Sequence, residues 1–192
     1  FAACSILAKP QGIIFMPIFL MLIYTKPRLW LRFAAGFLVT WLVMLLPFLW
    51  HGNLDRVLNV YVGAVGYYPT LTSQAYNVWW MLFADSANGK SDLDLMFGVV
   101  SYRLVGLLLF SALYALIPLK LLPTLLHDDT KQQKDRACFL AFGLVAYAFF
   151  MLNTQMHERY LFPFMAFGLS LIFVERHFMW LYLTATFAYY MN

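Results

Sequence analysis

Residues 33–50 read FAAGFLVTWLVMLLPFLW. The stretch holds no charged side chain, and at about 1.5 Å per residue a helix of this length nearly matches the roughly 30 Å hydrocarbon core of a bilayer. It predicts a membrane-spanning helix. Similar apolar runs recur on both sides of it, near 12–25, 98–122, 137–153, 160–175 and 178–192. The predicted fold is an all-α integral membrane protein, a polytopic helix bundle of about six spans truncated at both ends.

Composition agrees. Of the 192 residues 63% are hydrophobic and 11% charged, against about 45–50% and about 25% in soluble domains, which excludes an ordinary water-soluble globule. The chain opens at Phe1 inside one apolar stretch and closes inside another, through Ala188, Tyr189, Tyr190 and Met191. No basic segment precedes the first apolar run, as a signal peptide would require. The sequence therefore reads as an internal piece of a longer protein, with residues 1–192 forming one transmembrane domain.

Residues 1–8 look like the tail of a preceding helix that breaks at Lys9-Pro10-Gln11. Proline lacks a backbone donor and disfavours helical geometry in the residue before it. Cys4 and Cys138 sit in apolar context on opposite predicted faces, so neither a disulfide nor a metal-binding spacing is expected. The formal charge of +4 comes from residues scattered at loop ends, which argues against a nucleic-acid partner and matches topology signals. Lys26, Arg28, Arg32, Lys120, Lys131, Lys134, Arg136 and Arg176 fall on one side; Lys9, Arg56, Lys90, Arg103 and Arg159 fall on the other. The richer side, with its loops at 26–32, 120–136 and 175–177, is expected to be cytoplasmic.

The opposite, outer side carries the long loop 51–97. There Leu54, Val57, Leu58, Tyr61, Val62 and Val65 recur at helical spacing, predicting an amphipathic helix at the membrane interface. A second helix is predicted over 72–84, capped by Thr72 or Ser73. Residues 86–92 read as a flexible loop.

Three polar clusters gather on this outer face. The first is Lys9-Pro10-Gln11, where Lys9 is either a lysine snorkelling at a helix end or a cation for a phosphate, with Gln11 as a neutral donor. The second is Ser73-Gln74-Ala75-Tyr76-Asn77-Val78-Trp79-Trp80. If helical, it puts Ser73 and Asn77 on one face beside indole rings, suited to an interfacial belt or to a sugar. The third is Gln155-Met156-His157-Glu158-Arg159-Tyr160. Here Glu158 either favours a helix start while Arg159 snorkels, or His157 and Arg159 donate to a phosphate with Glu158 orienting one of them. The outer carboxylates are Asp55, Asp85, Asp92, Asp94 and Glu158. None sits in an apolar setting that marks a general base, although Glu158 comes nearest. No hydrolase triad order, zinc-protease motif, phosphate loop or dinucleotide fingerprint occurs.

Taken in order, Lys9-Pro10-Gln11, Ser73-Gln74-Ala75-Tyr76-Asn77-Val78-Trp79 and Met156-His157-Glu158-Arg159-Tyr160-Leu161-Phe162-Pro163 resemble the GT-C superfamily of membrane glycosyltransferases. The likeness is to the bacterial branch similar to the second mannosyltransferase of GPI-anchor assembly, and it covers most of the chain as the C-terminal part of such an enzyme. The resemblance implies transfer of a sugar, such as mannose, from a polyprenyl-phosphate-linked donor to a lipid-linked or other acceptor. Transfer would occur with inversion on the extracytoplasmic face of a bacterial plasma (inner) membrane. It further implies that Lys9, Gln11, His157 and Arg159 contact the donor phosphate, that Glu158 and Tyr160 orient them, and that Ser73, Asn77 and Trp79 shape the substrate pocket. The family's acidic base lies in a first outer loop upstream of this chain, so no catalytic residue is assigned here.

No cofactor or protein-bound metal is implied, and the sequence is silent on a divalent ion. Expected partners are the donor, the acceptor and membrane lipids. The competing expectation is a non-catalytic subunit of a larger membrane complex derived from such an enzyme. A carrier for an anionic lipid ranks below both, because the spans are almost uncharged and transport needs polar groups near the midplane.

Overall fold

The computed structural model describes residues 3, 6, 9–24, 26–63, 66–127, 130–174 and 176–191. The expectations for Cys4, Thr25, Val65, Glu175 and Asn192 lie outside them. Helix makes up 77% of the structure and the strands are two-residue segments, so the fold is all-α. Three helices among the described residues are long and apolar enough to cross a membrane: Trp30–Trp50, Tyr102–Leu126 and Lys131–Leu152. The chain divides into two compact units, 1–67 and 68–192.

In the first unit Ala3 and Ile6 are helical and buried. Lys9 is extended (φ −149°, ψ 128°) and Pro10 opens a 3₁₀ turn, Pro10–Phe15, which runs into α1 (Met16–Tyr24). The predicted break is therefore present, at the residue whose geometry Pro10 restricts. After a short 3₁₀ turn at Pro27–Leu29 comes α2 (Trp30–Trp50), which begins three residues before the predicted start. Leu31, Leu38, Leu42, Val43 and Leu46 stand exposed along it, a surface that suits lipid rather than water. The amphipathic helix is α3 (Leu54–Val62), with Asp55 in its first turn. The Tyr61 hydroxyl donates to the Ile6 carbonyl at 3.3 Å.

The second unit opens on β1 (Thr72–Ser73) and α4 (Val78–Phe83), followed by a 3₁₀ turn, Ala84–Asn88. A hairpin of β2 (Leu95–Met96) and β3 (Val100–Ser101) leads directly into α5 (Tyr102–Leu126). Then follow α6 (Lys131–Leu152), β4 (Met156–His157), a 3₁₀ turn at Glu158–Leu161, α7 (Phe162–Val174) and α8 (Phe178–Met191). Helix α6 packs between α5 and α7, and α8 lies on α7. One buried cluster among the described residues joins Leu71, Trp79, Ala87 and Tyr102.

Several boundaries differ from expectation. The predicted helix over 72–84 is a strand, a turn and only six helical residues. The Thr72 hydroxyl accepts from the Ala75 N–H at 3.1 Å and donates to the Ala75 carbonyl at 2.8 Å. That local bonding competes with a helix, and Gln74 takes a positive φ of 57°. The cap is Asn77, whose Oδ1 accepts from Trp80 N at 3.2 Å, so neither Thr72 nor Ser73 caps a helix and Ser73 and Asn77 share no helix face. The predicted loop 120–136 is largely helical, because Thr130 and Gln133 form a capping box that starts α6 at Lys131. The predicted flexible loop 86–92 is packed: Ala87 and Asp92 are buried, and Leu71 N donates to the Lys90 carbonyl at 3.0 Å. Helices α7 and α8 have 13 and 14 residues, about 20 Å each. The described part of the predicted span 12–25 is divided between the 3₁₀ turn and the nine residues of α1.

One tight point decides how α4, α5 and α6 meet. A Cβ on Gly106 would lie 2.7 Å from the Leu152 carbonyl oxygen and 3.4 Å from the Trp79 ring. That oxygen already accepts from Trp79 Nε1 at 3.0 Å, so it cannot move without breaking the bond. Gly106→Ala is expected to destabilise the protein by about 1–3 kcal/mol through overpacking, despite the roughly 1 kcal/mol that alanine gains in helix propensity. Thermal unfolding in detergent checks this; an unchanged or raised midpoint would show that the contact is not limiting.

Candidate functional site

The site is built on the parallel pairing of β1 with β4, in which Thr72 faces Met156 and Ser73 faces His157. Two of the polar clusters, distant in sequence, are thus placed side by side. The Thr72 hydroxyl reaches the Met156 carbonyl at 3.4 Å. Gln155 N donates to the Thr70 and Leu71 carbonyls at 3.0 and 3.2 Å. Gln74 (φ 57°) and Gln155 (φ 61°) flank the pair, both in the left-handed region that residues other than glycine seldom adopt. Such strain persists only where the surroundings over-determine it.

Those surroundings centre on Asp92, which is 0% exposed. Arg103 grips its carboxylate with both ends of the guanidinium, Nε to Oδ2 at 2.8 Å and Nη2 to Oδ1 at 2.9 Å. Thr154 Oγ1 donates to Oδ2 at 3.0 Å and Gln155 Nε2 at 2.7 Å. Burial by itself pushes the Asp92 carboxyl up. The hydrogen bonds from Arg103, Gln155 and Thr154, with the guanidinium charge, outweigh it and hold the group below its ordinary value. The pairing explains how Gln155 keeps its backbone conformation: its amide is held by a buried anion.

Asn77 and Trp79 support the same segment from the other side. Both are buried. Asn77 Nδ2 donates to the Asn153 carbonyl at 3.2 Å, and Trp79 Nε1 to that of Leu152. Their polar atoms therefore hold the chain as it leaves α6, and the residues that follow, 154–157, are delivered to Asp92 and β1. Ser73 is half-buried beside His157.

His157 lies between Tyr68 and Tyr160, with ring centroids 4.7 and 5.9 Å away and both contacts edge-on. Its Nδ1 is 3.6 Å from Glu158 Oε2, too long for a hydrogen bond as it stands. Its Nε2 is buried with no hydrogen-bond partner among the described residues. Arg159 is exposed on the 3₁₀ turn that starts with Glu158. Glu158, Tyr76, Tyr189, Phe150, Leu161 and Ala188 line a small recess with room for at most about one water molecule. Among the described residues no three or more His, Cys, Asp or Glu side chains group to hold a metal. Lys9 is exposed and Gln11 half-buried; both belong to the first unit.

In the sequence Asp92 is one of five carboxylates predicted to be on the outer side, with nothing to single it out. The usable signal was Arg103, a charge predicted to lie inside an apolar helix, where it needs an acidic partner. No family model, curated protein or solved structure matches the chain.

Proposed function

We propose that this chain is the donor-binding part of a membrane glycosyltransferase. It takes a sugar from a polyprenyl-phosphate-linked donor and passes it, with inversion, to a lipid-linked or other acceptor on the extracytoplasmic face. The observation that carries the reading is the β1–β4 pair, which sets Ser73 beside His157 and so joins the two most specific polar clusters. In this reading the three long helices are joined by the shorter apolar ones in a bundle of about six spans in a bacterial plasma membrane.

The chemistry follows from charge. As the glycosidic bond to phosphate breaks, negative charge builds on the leaving phosphate, and donors aimed there favour the transition state. Nδ1 of His157 faces Glu158, and Nε2, which has no partner among the described residues, serves a phosphate oxygen. Arg159 adds a planar fork. Tyr160 holds the His157 ring, while Asn77 and Trp79 keep 153–157 in place. The base that activates the acceptor is left unassigned. Support for a second reading, a non-catalytic subunit of a larger membrane complex, comes from the small recess and from Asn77 and Trp79 bonding only to backbone.

The test is transfer itself. Full-length protein reconstituted in vesicles with a radiolabelled polyprenyl-phosphate sugar and a mixture of bacterial membrane lipids should move label into a new lipid or released product. A donor left intact across all acceptors, by protein that still binds it, supports the subunit reading.

A further inference from the structure

We propose that the β2–β3 hairpin is a membrane anchor whose tip sits in the boundary between lipid headgroups and acyl chains. Four apolar residues stand out of it: Leu93 and Leu95 are each 56% exposed, Val99 79% and Phe97 91%. The turn is closed by Val99 N donating to the Met96 carbonyl at 3.2 Å, with positive φ at both central residues, Phe97 (54°) and Gly98 (73°). Hairpin turns of that kind favour Asn-Gly, and a bulky residue at positive φ is an outlier. The turn thus holds an aromatic ring at its tip against backbone preference, with nothing from the described residues covering it. In water both the strain and the exposure are unfavourable; in an interface the ring is buried and anchors the loop.

The hairpin is rigidly mounted. Met96 packs against the core of Leu71, Trp79, Ala87 and Tyr102. At its root Tyr102 N donates to the Asp94 carbonyl at 3.2 Å and Arg103 N to that of Asp92 at 2.8 Å. Lipid is the occupant because the hairpin runs directly into α5. That helix is long and apolar enough to cross a membrane, starts at Tyr102 and exposes Leu104, Leu107 and Leu108. The exposed acid within the apolar row, Asp94, lies at the hairpin root, where it reaches headgroup level. A membrane anchor of this kind fixes the buried Asp92 and the β1–β4 pair close to the lipid surface. It holds whether or not the site transfers sugar.

The test uses full-length protein with Cys4 and Cys138 replaced by Ser, carrying an environment-sensitive fluorophore at Val99→Cys, or at Leu95→Cys if the first variant fails to fold. A label at Asp85→Cys, an exposed position outside the hairpin, serves as the reference. In phosphatidylcholine–phosphatidylglycerol vesicles the hairpin label is expected to be quenched severalfold more by shallow spin-labelled lipid than by aqueous iodide, with the reverse at Asp85→Cys. Adding Phe97→Asn, which suits the turn but removes the ring, should shift the hairpin label toward iodide. Iodide quenching equal to that at Asp85→Cys overturns the proposal. Protection from both quenchers also overturns it, by showing that a protein surface covers the hairpin.

Discussion

Asp92→Ala is expected to cost about 3–5 kcal/mol, the usual consequence of removing one member of a buried ion pair. The substitution strands the guanidinium of Arg103, which makes two bonds to the carboxylate, and leaves Thr154 Oγ1 and Gln155 Nε2 without their acceptor. Since Gln155 leads into β4 in a strained conformation, the loss should also loosen the pairing of Ser73 with His157. Denaturant unfolding in mixed micelles measures the first effect, and hydrogen exchange at residues 155–157 the second. Asp92→Asn keeps the shape and part of the bonding, so its cost should be smaller. Replacing both partners by apolar residues, Asp92→Leu with Arg103→Met, should recover much of the stability, because no buried charge is left alone. A cost below about 1 kcal/mol for Asp92→Ala would place the pair with exposed salt bridges instead.

The same carboxylate sets a pH dependence. Its folded value is depressed below the ordinary 3.8, so it is protonated more readily in the unfolded chain than in the folded one. Its contribution is fully present above the ordinary value and is lost as pH falls through the depressed one. Acid unfolding should therefore show a limb below the usual carboxylate range that Asp92→Asn removes.

The second large effect concerns transfer. Arg159→Ala is expected to lower turnover by about 10²–10³-fold, the effect of deleting one donor to a developing oxyanion. Because Arg159 is exposed, the same substitution should change stability by no more than about 0.5 kcal/mol. Activity and folding are thereby separated. His157→Ala should reduce turnover at least as far, but it also removes ring contacts to Tyr68 and Tyr160. His157→Gln, which retains a neutral donor, is the companion variant. Turnover measured with saturating donor, beside unfolding midpoints of the same preparations, checks both. A well-folded double variant with full activity would overturn the phosphate-binding role.

The sequence alone determined what is local. Uninterrupted apolar length marked the long helices, since the match between helix rise and bilayer thickness needs no knowledge of packing. The break at Lys9-Pro10 was legible because proline restricts its own neighbour. Amphipathic spacing placed α3 for the same reason. What only the tertiary structure decided is non-local. Thr72 and Met156, far apart in the chain, form a parallel pair in which no single-strand periodicity is visible, and Thr72 turns the chain away from the helix that its neighbours favoured. Asp92 stood out only once Arg103, Thr154 and Gln155 converged on it across the hairpin and the end of α6. A buried charge draws its meaning from partners that folding brings together, and those partners are dictated by packing rather than by spacing along the chain.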